Sequence, residues 1–221
     1  METVLILDFG AQYSQLIARR VREQNVYCEV KPCSISPAEI EKIAPIGIIL
    51  SGGPQSVYES VSLRVDPALF ALGIPVLGIC YGCQLMAYSL GGTVAAATEA
   101  TAREYGKTLT EFDTHSAIFQ DLPASSVTWM SHGDYISQVP DGFTVTAKTA
   151  VCPTAAMACP EKKLYGVQFH PEVQHTVQGS EILRRFLYSV CGASGDWTMA
   201  DYRQTAIRAI REKVGSGRAL L

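Results

Sequence analysis

A cysteine with a glycine two positions away on either side constrains the fold of this 221-residue chain more than any other feature. The apolar run 74–77 leads into Gly78, Cys80 and Gly82, and a segment with helical character, residues 83–90, follows at once. A sharp turn from strand to helix forces its central residue into strained backbone angles, and side chains two residues away would collide there. The two glycines therefore predict a nucleophile elbow that lifts Cys80 clear of a sheet.

The predicted elbow also gives Cys80 a chemical role. The first N–H groups of a helix lack intrahelical acceptors and carry partial positive charge. A thiolate is stabilised at such a position, and so is the oxyanion that forms when the sulfur attacks a carbonyl carbon. A lone cysteine after an apolar run is usually a core residue, but the flanking glycines favour a nucleophile.

Composition excludes several classes of protein. Hydrophobic residues make up 48% of the chain and charged residues 18%, which suits a buried globular core. The net charge of −3 gives no electrostatic reason to expect nucleic acid or a membrane as a partner. No apolar run approaches the roughly 20 residues that span a bilayer. Seven cysteines do not resemble a secreted disulfide framework, and we expect no signal peptide, so a cytoplasmic location is predicted.

Strands and helices are predicted to alternate through the first 90 residues. Residues 4–7, 26–30 and 46–50 are apolar on both faces, as in the strands of a parallel sheet. Helical segments separate them, so we expect a three-layer α/β fold with helices on both sides of a mostly parallel central sheet. Few helices are predicted after residue 92, which indicates a mixed or antiparallel extension. Its predicted strands are residues 93–95, 107–111, 127–130, 144–148, 155–158 and 166–169.

The C-terminal part is predicted to be helical and to lie outside the main domain. An apolar stripe over residues 182–190 predicts one amphipathic helix, and a second is expected over residues 197–214. Residues 218–221 then resemble the start of another buried strand. We expect residues 1–192 to form one domain and residues 193–221 to form a helix and linker that lead to a further domain.

Two residues near position 170 supply the base that a cysteine nucleophile needs and a group to orient that base. A strand is expected over residues 164–167, so the side chains of His170 and Glu172 would emerge at its carboxyl end, where sites form in open α/β sheets. The Glu172 carboxylate would accept a hydrogen bond from one imidazole nitrogen while the other nitrogen faces the sulfur. The predicted catalytic residues are therefore Cys80, His170 and Glu172.

Residues 51–54 follow another expected strand and would open at the same edge of the sheet. Consecutive glycines let backbone N–H groups point into a site without obstruction by side chains. The N–H groups of Gly53 and Tyr81 would then form an oxyanion hole. Each motif alone has an ordinary interpretation as core, turn or loop, but three strand ends with complementary chemistry together favour a site.

Together these motifs resemble the class I glutamine amidotransferases, in which cysteine, histidine and glutamate hydrolyse glutamine. The resemblance covers essentially the whole chain and implies a flavodoxin-like fold. Its most specific parts are the elbow at residues 78–82 and the segment 168–172. The other residues that carry the resemblance lie at 7–13, 16–20, 49–54, 56–58, 83–84, 103–106, 129–134 and 197–199.

The resemblance implies a two-step reaction and a binding site for its substrate. Cys80 attacks the side-chain amide of glutamine, ammonia leaves, and water then frees glutamate from a γ-glutamyl thioester. From the residues alone, Gln84 could equally be a solvated polar side chain, and Asp134 could be a turn residue. By resemblance, the α-amino and carboxylate groups of glutamine are held by Gln84, Ser131, His132, Gly133 and Asp134.

The resemblance also implies what lies outside this chain. No cofactor and no metal ion are expected in it. In the members that it resembles most, ammonia passes to an ATP-pyrophosphatase (synthetase) domain of the same polypeptide, which uses ATP and magnesium. The ATP-binding loop of that domain is absent from the sequence, so ATP use is not expected here. Cys83 departs from the apolar residue usual in the family, and only a change in packing is expected from it.

Three other interpretations stay open on the sequence alone. Cys80 and Cys83 have the spacing of a redox-active pair. His170, Glu172 and His175 can be imagined as metal ligands, although their spacing is not a recognised zinc motif and the order of motifs is the reverse of that in zinc deaminases. The third interpretation is a catalytically silent binding or regulatory subunit on the same fold.

Overall fold

A computed structural model describes residues 1–97, 103–215 and 217 of the chain. Within this part the strands are β1 (Thr3–Asp8), β2 (Tyr27–Pro32), β3 (Gly47–Leu50), β4 (Val76–Ile79), β5 (Thr93–Ala96), β6 (Glu104–Phe112), β7 (Ser125–His132), β8 (Asp134–Gln138), β9 (Thr144–Lys148), β10 (Ala156–Cys159) and β11 (Leu164–Val167). The α-helices are α1 (Ser14–Glu23), α2 (Pro37–Ile43), α3 (Tyr81–Ser89), α4 (Gly179–Arg185) and α5 (Met199–Val214). Short 3₁₀ turns lie at Pro67–Ala71 and Pro160–Lys162.

The central sheet has nine strands in the order β2-β1-β3-β4-β11-β10-β9-β6-β7. The strands from β2 to β11 in this order are parallel to one another. Each pairing from β11 to β7 is antiparallel. Strands β5 and β8 form a separate antiparallel pair. The prediction of a parallel sheet with an antiparallel extension is therefore confirmed.

Two hydrophobic clusters, one on each face of the sheet, make the fold three-layered. Along β1, Val4 and Ile6 belong to the cluster that also holds apolar residues of α1 and α4. The alternating residues Leu5 and Leu7 belong to the cluster that holds residues of α2 and α3. Because successive side chains of a strand point to opposite faces, a strand covered on both sides is apolar throughout. This is why β1 has no polar alternation.

Several predicted elements differ from the structure in their bounds; for example, the strand predicted over residues 107–111 is the longer β6. The strand predicted over residues 166–169 is β11, which ends at Val167; beyond it the His170 N–H donates to the Trp129 carbonyl oxygen of β7. The single helix predicted over residues 182–190 ends as an α-helix at Arg185 and continues as a π-helical turn over Phe186–Val190. The strand predicted over residues 218–221 lies outside the described residues.

The segment that precedes α5 packs against the edge of the sheet. Trp197 is 8% exposed, and its backbone N–H donates to the Asn25 carbonyl oxygen at 3.2 Å. Its ring lies 6.1 Å from that of Tyr27 in β2, and Tyr202 of α5 stacks on Tyr27 at 5.5 Å. Among the described residues, no helix combines the length and apolar character that crossing a membrane requires.

Candidate active site

The predicted elbow at Cys80 is present and strained. Cys80 lies between β4 and α3 with a φ of 51° and a ψ of −106°. A Cβ atom on Gly78 would lie 2.6 Å from the Gly82 carbonyl oxygen, and one on Gly82 would lie 2.5 Å from the Leu50 carbonyl oxygen. Both distances are shorter than real Cβ contacts, so each position requires glycine for steric reasons.

Three neighbouring strands bring the predicted site residues together. Strands β3, β4 and β11 are adjacent and parallel, so their carboxyl ends meet at one edge of the sheet. Ser51 follows β3, Cys80 follows β4, and His170 lies three residues beyond β11. The backbone N–H of Cys80 donates to the carbonyl oxygen of Val167 at 2.8 Å and ties the elbow to β11.

His170 and Glu172 form a buried hydrogen-bonded pair beside Cys80. The His170 Nδ1 and Glu172 Oε1 atoms are 2.7 Å apart, and the two side chains are 8% and 1% exposed. The backbone of the pair is held from two sides. Thr176 Oγ1 donates to the His170 carbonyl oxygen at 2.6 Å, and Arg20 Nε donates to the Glu172 carbonyl oxygen at 2.9 Å.

The surroundings of His170 favour its protonated form. Burial alone would lower the pKa of the imidazole, but hydrogen bonds with the Cys80 and Glu172 side chains and the negative charge of Glu172 act in the opposite direction. Together they raise the pKa of His170 from 6.5 to about 10. Such an arrangement supports an imidazolium next to a thiolate.

Cys80 lines a cavity of about 300 Å³. All of the predicted substrate-binding and oxyanion-hole residues line it, whereas His170 and Glu172 lie outside its lining. In the described part of the chain, the backbone N–H groups of Gly53 and Tyr81 have no acceptor, so they are available to an oxyanion. The predicted residues in the lining are Gly53, Cys80, Tyr81, Gln84, Ser131, His132, Gly133 and Asp134.

The predicted substrate loop is a junction between two strands. Ser131 and His132 end β7, and Asp134 begins β8 after Gly133. The Asp134 carboxylate is held on both oxygens, because it accepts from Ser56 Oγ at 2.5 Å and from the Tyr58 hydroxyl at 3.0 Å. Residues 56–58 are among the segments that carry the family resemblance, but no role in the site was predicted for them from the sequence. Serine and tyrosine hydroxyls are common in loops, so nothing in this segment itself predicts a contact with Asp134.

Gln84 is a buried residue of α3 rather than a solvated one. It is 4% exposed. Its Nε2 atom donates to the Asp134 carbonyl oxygen at 2.8 Å and to Gln168 Oε1 at 3.0 Å. Gln168 in turn donates from Nε2 to Cys80 Sγ at 3.6 Å. Sequence reasoning also missed Gln168 as a site residue.

One ring nitrogen of His132 is hydrogen-bonded, and the other faces a buried carboxylate. Nδ1 donates to the Asp134 carbonyl oxygen at 2.9 Å, and Nε2 lies 3.4 Å from Glu104 Oε2 in a buried pair. Within the described residues, Glu104, His132 and Cys152 form the one set of potential metal ligands, with ligand atoms within 4.8 Å of one another. Glu104 accepts from Thr149 Oγ1 at 2.8 Å and His132 donates from Nδ1 to the Asp134 carbonyl oxygen, so both side chains have partners within the protein without a metal.

The remaining alternatives find little support in the geometry. Cys83 is fully buried with a free thiol whose pKa burial raises well above its ordinary value, which does not suit a redox-active partner for Cys80. Cys83 instead packs against Gly166, where an added Cβ would lie 2.5 Å from its sulfur. His175 is exposed and its ring lies 4.7 Å from that of Trp129, and it does not join a metal-ligand group with His170 and Glu172 among the described residues.

The fold and the site define a class I glutamine amidotransferase. The sequence model of that family, glutamine amidotransferase class-I, matches residues 5–190, and the chain belongs to this family. At a finer level, the motifs at residues 7–13, 131–134 and 197–199 resemble the glutaminase portion of GMP synthetase.

The similar proteins agree with this finer resemblance. The chain is 52% identical over 219 residues to GMP synthase [glutamine-hydrolyzing] of Clostridium botulinum strain Alaska E43 and 55% identical to that of strain Hall. Each match covers 99% of this chain, and the chain spans 42% of the length of each relative.

Solved structures share the fold. A Thermoplasma acidophilum protein, provisionally described as one of the subunits of a GMP synthase, superposes with a TM-score of 0.74 at 30% identity, over 94% of this chain and 98% of the other. A glutamine amidotransferase from Thermotoga maritima has a TM-score of 0.70 at 20% identity, over 87% and 99% of the two chains. The second likeness concerns the fold alone.

Proposed function

We propose that this chain hydrolyses the side-chain amide of L-glutamine to glutamate and ammonia, as the glutaminase part of a glutamine-hydrolysing GMP synthase. One observation carries the proposal. Cys80 lines a cavity of about 300 Å³ with free backbone donors, and the hydrogen-bonded pair of His170 and Glu172 lies next to it, because His170 and Cys80 flank the same glycine, Gly52. Membership of the family and the similarity to GMP synthases support the same reaction.

The first half of the reaction forms a thioester. The Cys80 thiolate attacks the amide carbon of glutamine, and a C–S bond forms. The N–H groups of Gly53 and Tyr81 donate to the oxyanion that develops on the amide oxygen. The protonated His170 gives its proton to the amide nitrogen, so the C–N bond breaks and ammonia leaves. A γ-glutamyl thioester and a neutral imidazole result.

The second half releases glutamate and restores the site. Water attacks the thioester carbon while His170 takes a proton from it. The C–S bond then breaks, sulfur leaves as the thiolate, and the imidazolium is again paired with Glu172. The sum of the two halves is glutamine plus water giving glutamate plus ammonia. The groups that act on the substrate are side chains and backbone N–H groups of this chain, together with water.

The cavity suits the polar end of a free amino acid. The Asp134 carboxylate, oriented by Ser56 and Tyr58, would pair with the α-ammonium group of glutamine. Both N–H bonds of the Gln84 amide are used within the protein, which leaves its Oε1 atom as a second acceptor. The lining residues Ser131, His132 and Gly133 would border the substrate's α-carboxylate.

We further propose that the ammonia is used by an ATP-pyrophosphatase (synthetase) domain of the same polypeptide. That domain would convert xanthosine monophosphate (XMP) to GMP with ATP and magnesium. The support is that the chain spans 42% of the length of relatives named GMP synthase. This chain would then supply ammonia and no nucleotide chemistry.

The test is glutamate release from purified protein, with Cys80→Ala as the key variant. We expect turnover of glutamine by the wild type and a loss on the order of 10³-fold or more in Cys80→Ala, because the nucleophile is removed. Cys83→Ala is the matched control, since it removes a neighbouring thiol of α3 that does not line the cavity. It should retain activity.

Adding the synthetase domain with ATP, magnesium and XMP tests the second proposal. We expect faster glutamate release and formation of GMP from glutamine. Full activity of Cys80→Ala would refute the mechanism. Absence of glutamate release under both conditions would favour a catalytically silent subunit instead.

A further inference from the structure

We infer that Gln168 is a thiolate-stabilising residue whose side-chain amide donates an N–H to Cys80 Sγ, and that Gln84 holds this amide in the donating orientation. The inference rests on Cys80 being the nucleophile of the proposed glutaminase reaction. It assigns a role to a residue immediately after β11 that neither the motifs nor the predicted triad included.

Gln168 touches the reacting atom from a fully buried position. It is 0% exposed, and its Nε2 atom lies 3.6 Å from Cys80 Sγ, within the range of a hydrogen bond to sulfur. Its backbone N–H donates to the Ala155 carbonyl oxygen at 2.8 Å, which anchors the residue to the neighbouring strand region. A polar side chain buried this deeply requires partners for both ends of its amide.

The orientation of the Gln168 amide follows from its neighbours. The carbonyl oxygen of Asp134 can only accept, so the side chain of Gln84 must present its NH₂ group there, at 2.8 Å. The second N–H of that NH₂ group points to Gln168, at 3.0 Å, and therefore requires the oxygen of the Gln168 amide. The Gln168 NH₂ group is left to face the sulfur.

This donor matters most once the sulfur is ionised. In the thiol form the Cys80 S–H donates to the Ser131 carbonyl oxygen at 3.7 Å. After the proton leaves, that carbonyl oxygen repels the negative sulfur, whereas the Gln168 N–H and the His170 imidazolium attract it. The same donor would assist the second half-reaction, in which sulfur leaves the thioester as a thiolate.

The pH dependence of alkylation of Cys80 tests the inference without using glutamine. Iodoacetamide reacts with the thiolate, and the modified Cys80 peptide is quantified by mass spectrometry, which separates it from the six other cysteines. In Gln168→Met, which keeps the length but removes the donor, the alkylation midpoint should rise by about one pH unit, a tenfold loss of rate below the midpoint. Gln168→Glu should raise it further, because a carboxylate repels the thiolate.

Gln174 offers a matched control six residues further along the chain. Its side chain is exposed, so Gln174→Met and Gln174→Glu should leave the midpoint unchanged. A midpoint for folded Gln168→Met equal to that of the wild type would overturn the inference, even if glutamine turnover fell. A raised midpoint in a protein without glutaminase activity would support the role of Gln168 and count against the proposed function instead.

A second variant keeps the test decisive if substitutions at Gln168 prevent folding. Gln84→Met leaves Gln168 in place but removes the donor that fixes its amide orientation. The midpoint should then rise by less than in Gln168→Met, because the freed amide can still face the sulfur part of the time. An unchanged midpoint in folded Gln84→Met would contradict the proposed orientation.

Discussion

Cys80 combines backbone strain with a favourable electrostatic position. A positive φ costs a non-glycine residue on the order of 1–3 kcal/mol, and such strain persists where the surrounding structure over-determines it. Here a side chain at position 78 or 82 would clash with neighbouring backbone atoms, so the close packing around the turn depends on glycine at both positions. The sulfur consequently lies at the start of α3, where a thiolate is stabilised.

Some site residues could be predicted from the sequence because they meet a local steric requirement. Others act through contacts with residues far away in the chain and could not be predicted. The glycines at 78 and 82 follow from steric needs within a few residues. Gln168 acts on a sulfur 88 residues away, and Ser56 acts on a carboxylate 78 residues away. Such pairs form only when the fold brings strands together, so no spacing along the chain reveals them.

The raised pKa of His170 predicts an unusual pH profile for glutamine hydrolysis. The imidazolium form, which gives its proton to the departing amide nitrogen, should persist to about pH 10, so the alkaline limb of kcat/KM should lie near pH 10. Glu172→Gln removes the negative charge that raises this pKa, and the limb should move toward neutral pH. Initial rates of glutamate release between pH 6 and 11 provide the measurement, and a wild-type limb near 6.5 would contradict the expectation.

The same shift links folding stability to pH. Because the folded-state pKa lies above the ordinary value, protonated His170 stabilises the fold in full below pH 6.5, and this contribution is lost as pH rises toward 10. The difference in unfolding free energy between wild type and Glu172→Gln should therefore be largest below pH 6.5 and shrink toward pH 10. Urea unfolding at several pH values measures it, and a difference that grows with pH would contradict this sign.

Asp134 is expected to control the affinity for glutamine rather than the chemistry. Asp134→Asn removes the charge that would pair with the substrate's ammonium group, so KM should rise by about 10- to 100-fold with a smaller change in kcat. Ser56→Ala removes one hydrogen bond to the carboxylate and should raise KM several-fold. Steady-state kinetics separate the two constants. Equal KM values for Asp134→Asn and wild type would exclude this role.

At the scale of elements, apolar strands were predicted well and changes of helix type were not. Strands β1 and β9 lie within a residue of their predicted bounds, since burial on both faces or clear flanking turns mark them. The apolar stripe over residues 182–190 is continuous, yet the helix widens into a π-helical turn at Phe186. An apolar stripe reports which face is buried, but not how the last turns accommodate their neighbours.

The turn between β4 and α3 should not tolerate side chains at its glycines. Gly78→Ala and Gly82→Ala each place a Cβ within 2.7 Å of backbone atoms, which cannot move as a side chain can. We expect each to destabilise the fold by about 3 kcal/mol or more, or to prevent folding. Gly133→Ala is the control, because its Cβ would meet nothing closer than 3.5 Å. Thermal unfolding followed by circular dichroism measures all three, and similar midpoints would refute the steric account.

At the scale of the whole molecule, the position of the site followed from topology. Parallel strands present their carboxyl ends at one edge, so the motifs after β3, β4 and β11 were expected to meet there. Features that depend on long-range strand pairing could not be predicted from the sequence. They are the strand order, the separate β5–β8 pair and the junction at Gly133. That junction supplies one wall of the cavity.

The C-terminal segment contributes unequally to the stability of the molecule. Residues before Met199 pack closely: Ala193 and Trp197 are buried, and Ser194 donates to the Glu2 carboxylate at 2.8 Å. Helix α5 packs less closely against the rest of the domain. A groove of about 890 Å³ lies between this helix and the N-terminus, and the side chain of Ile210 in the helix is 60% exposed. We therefore expect the stably packed domain to end at Thr198 rather than at residue 192.

Two truncations test this boundary. A chain that ends at Thr198 should unfold within a few degrees of the full chain, because it loses mainly the ring contacts of the partly exposed Tyr202 with Tyr27 and Trp197. A chain that ends at residue 192 also loses the buried Trp197, which typically costs about 3–5 kcal/mol, or roughly 10 °C for a domain of this size. Differential scanning calorimetry compares the three chains. Equal melting temperatures for the two truncations would place the boundary at residue 192 after all, because Trp197 would then stabilise nothing in the domain that precedes it.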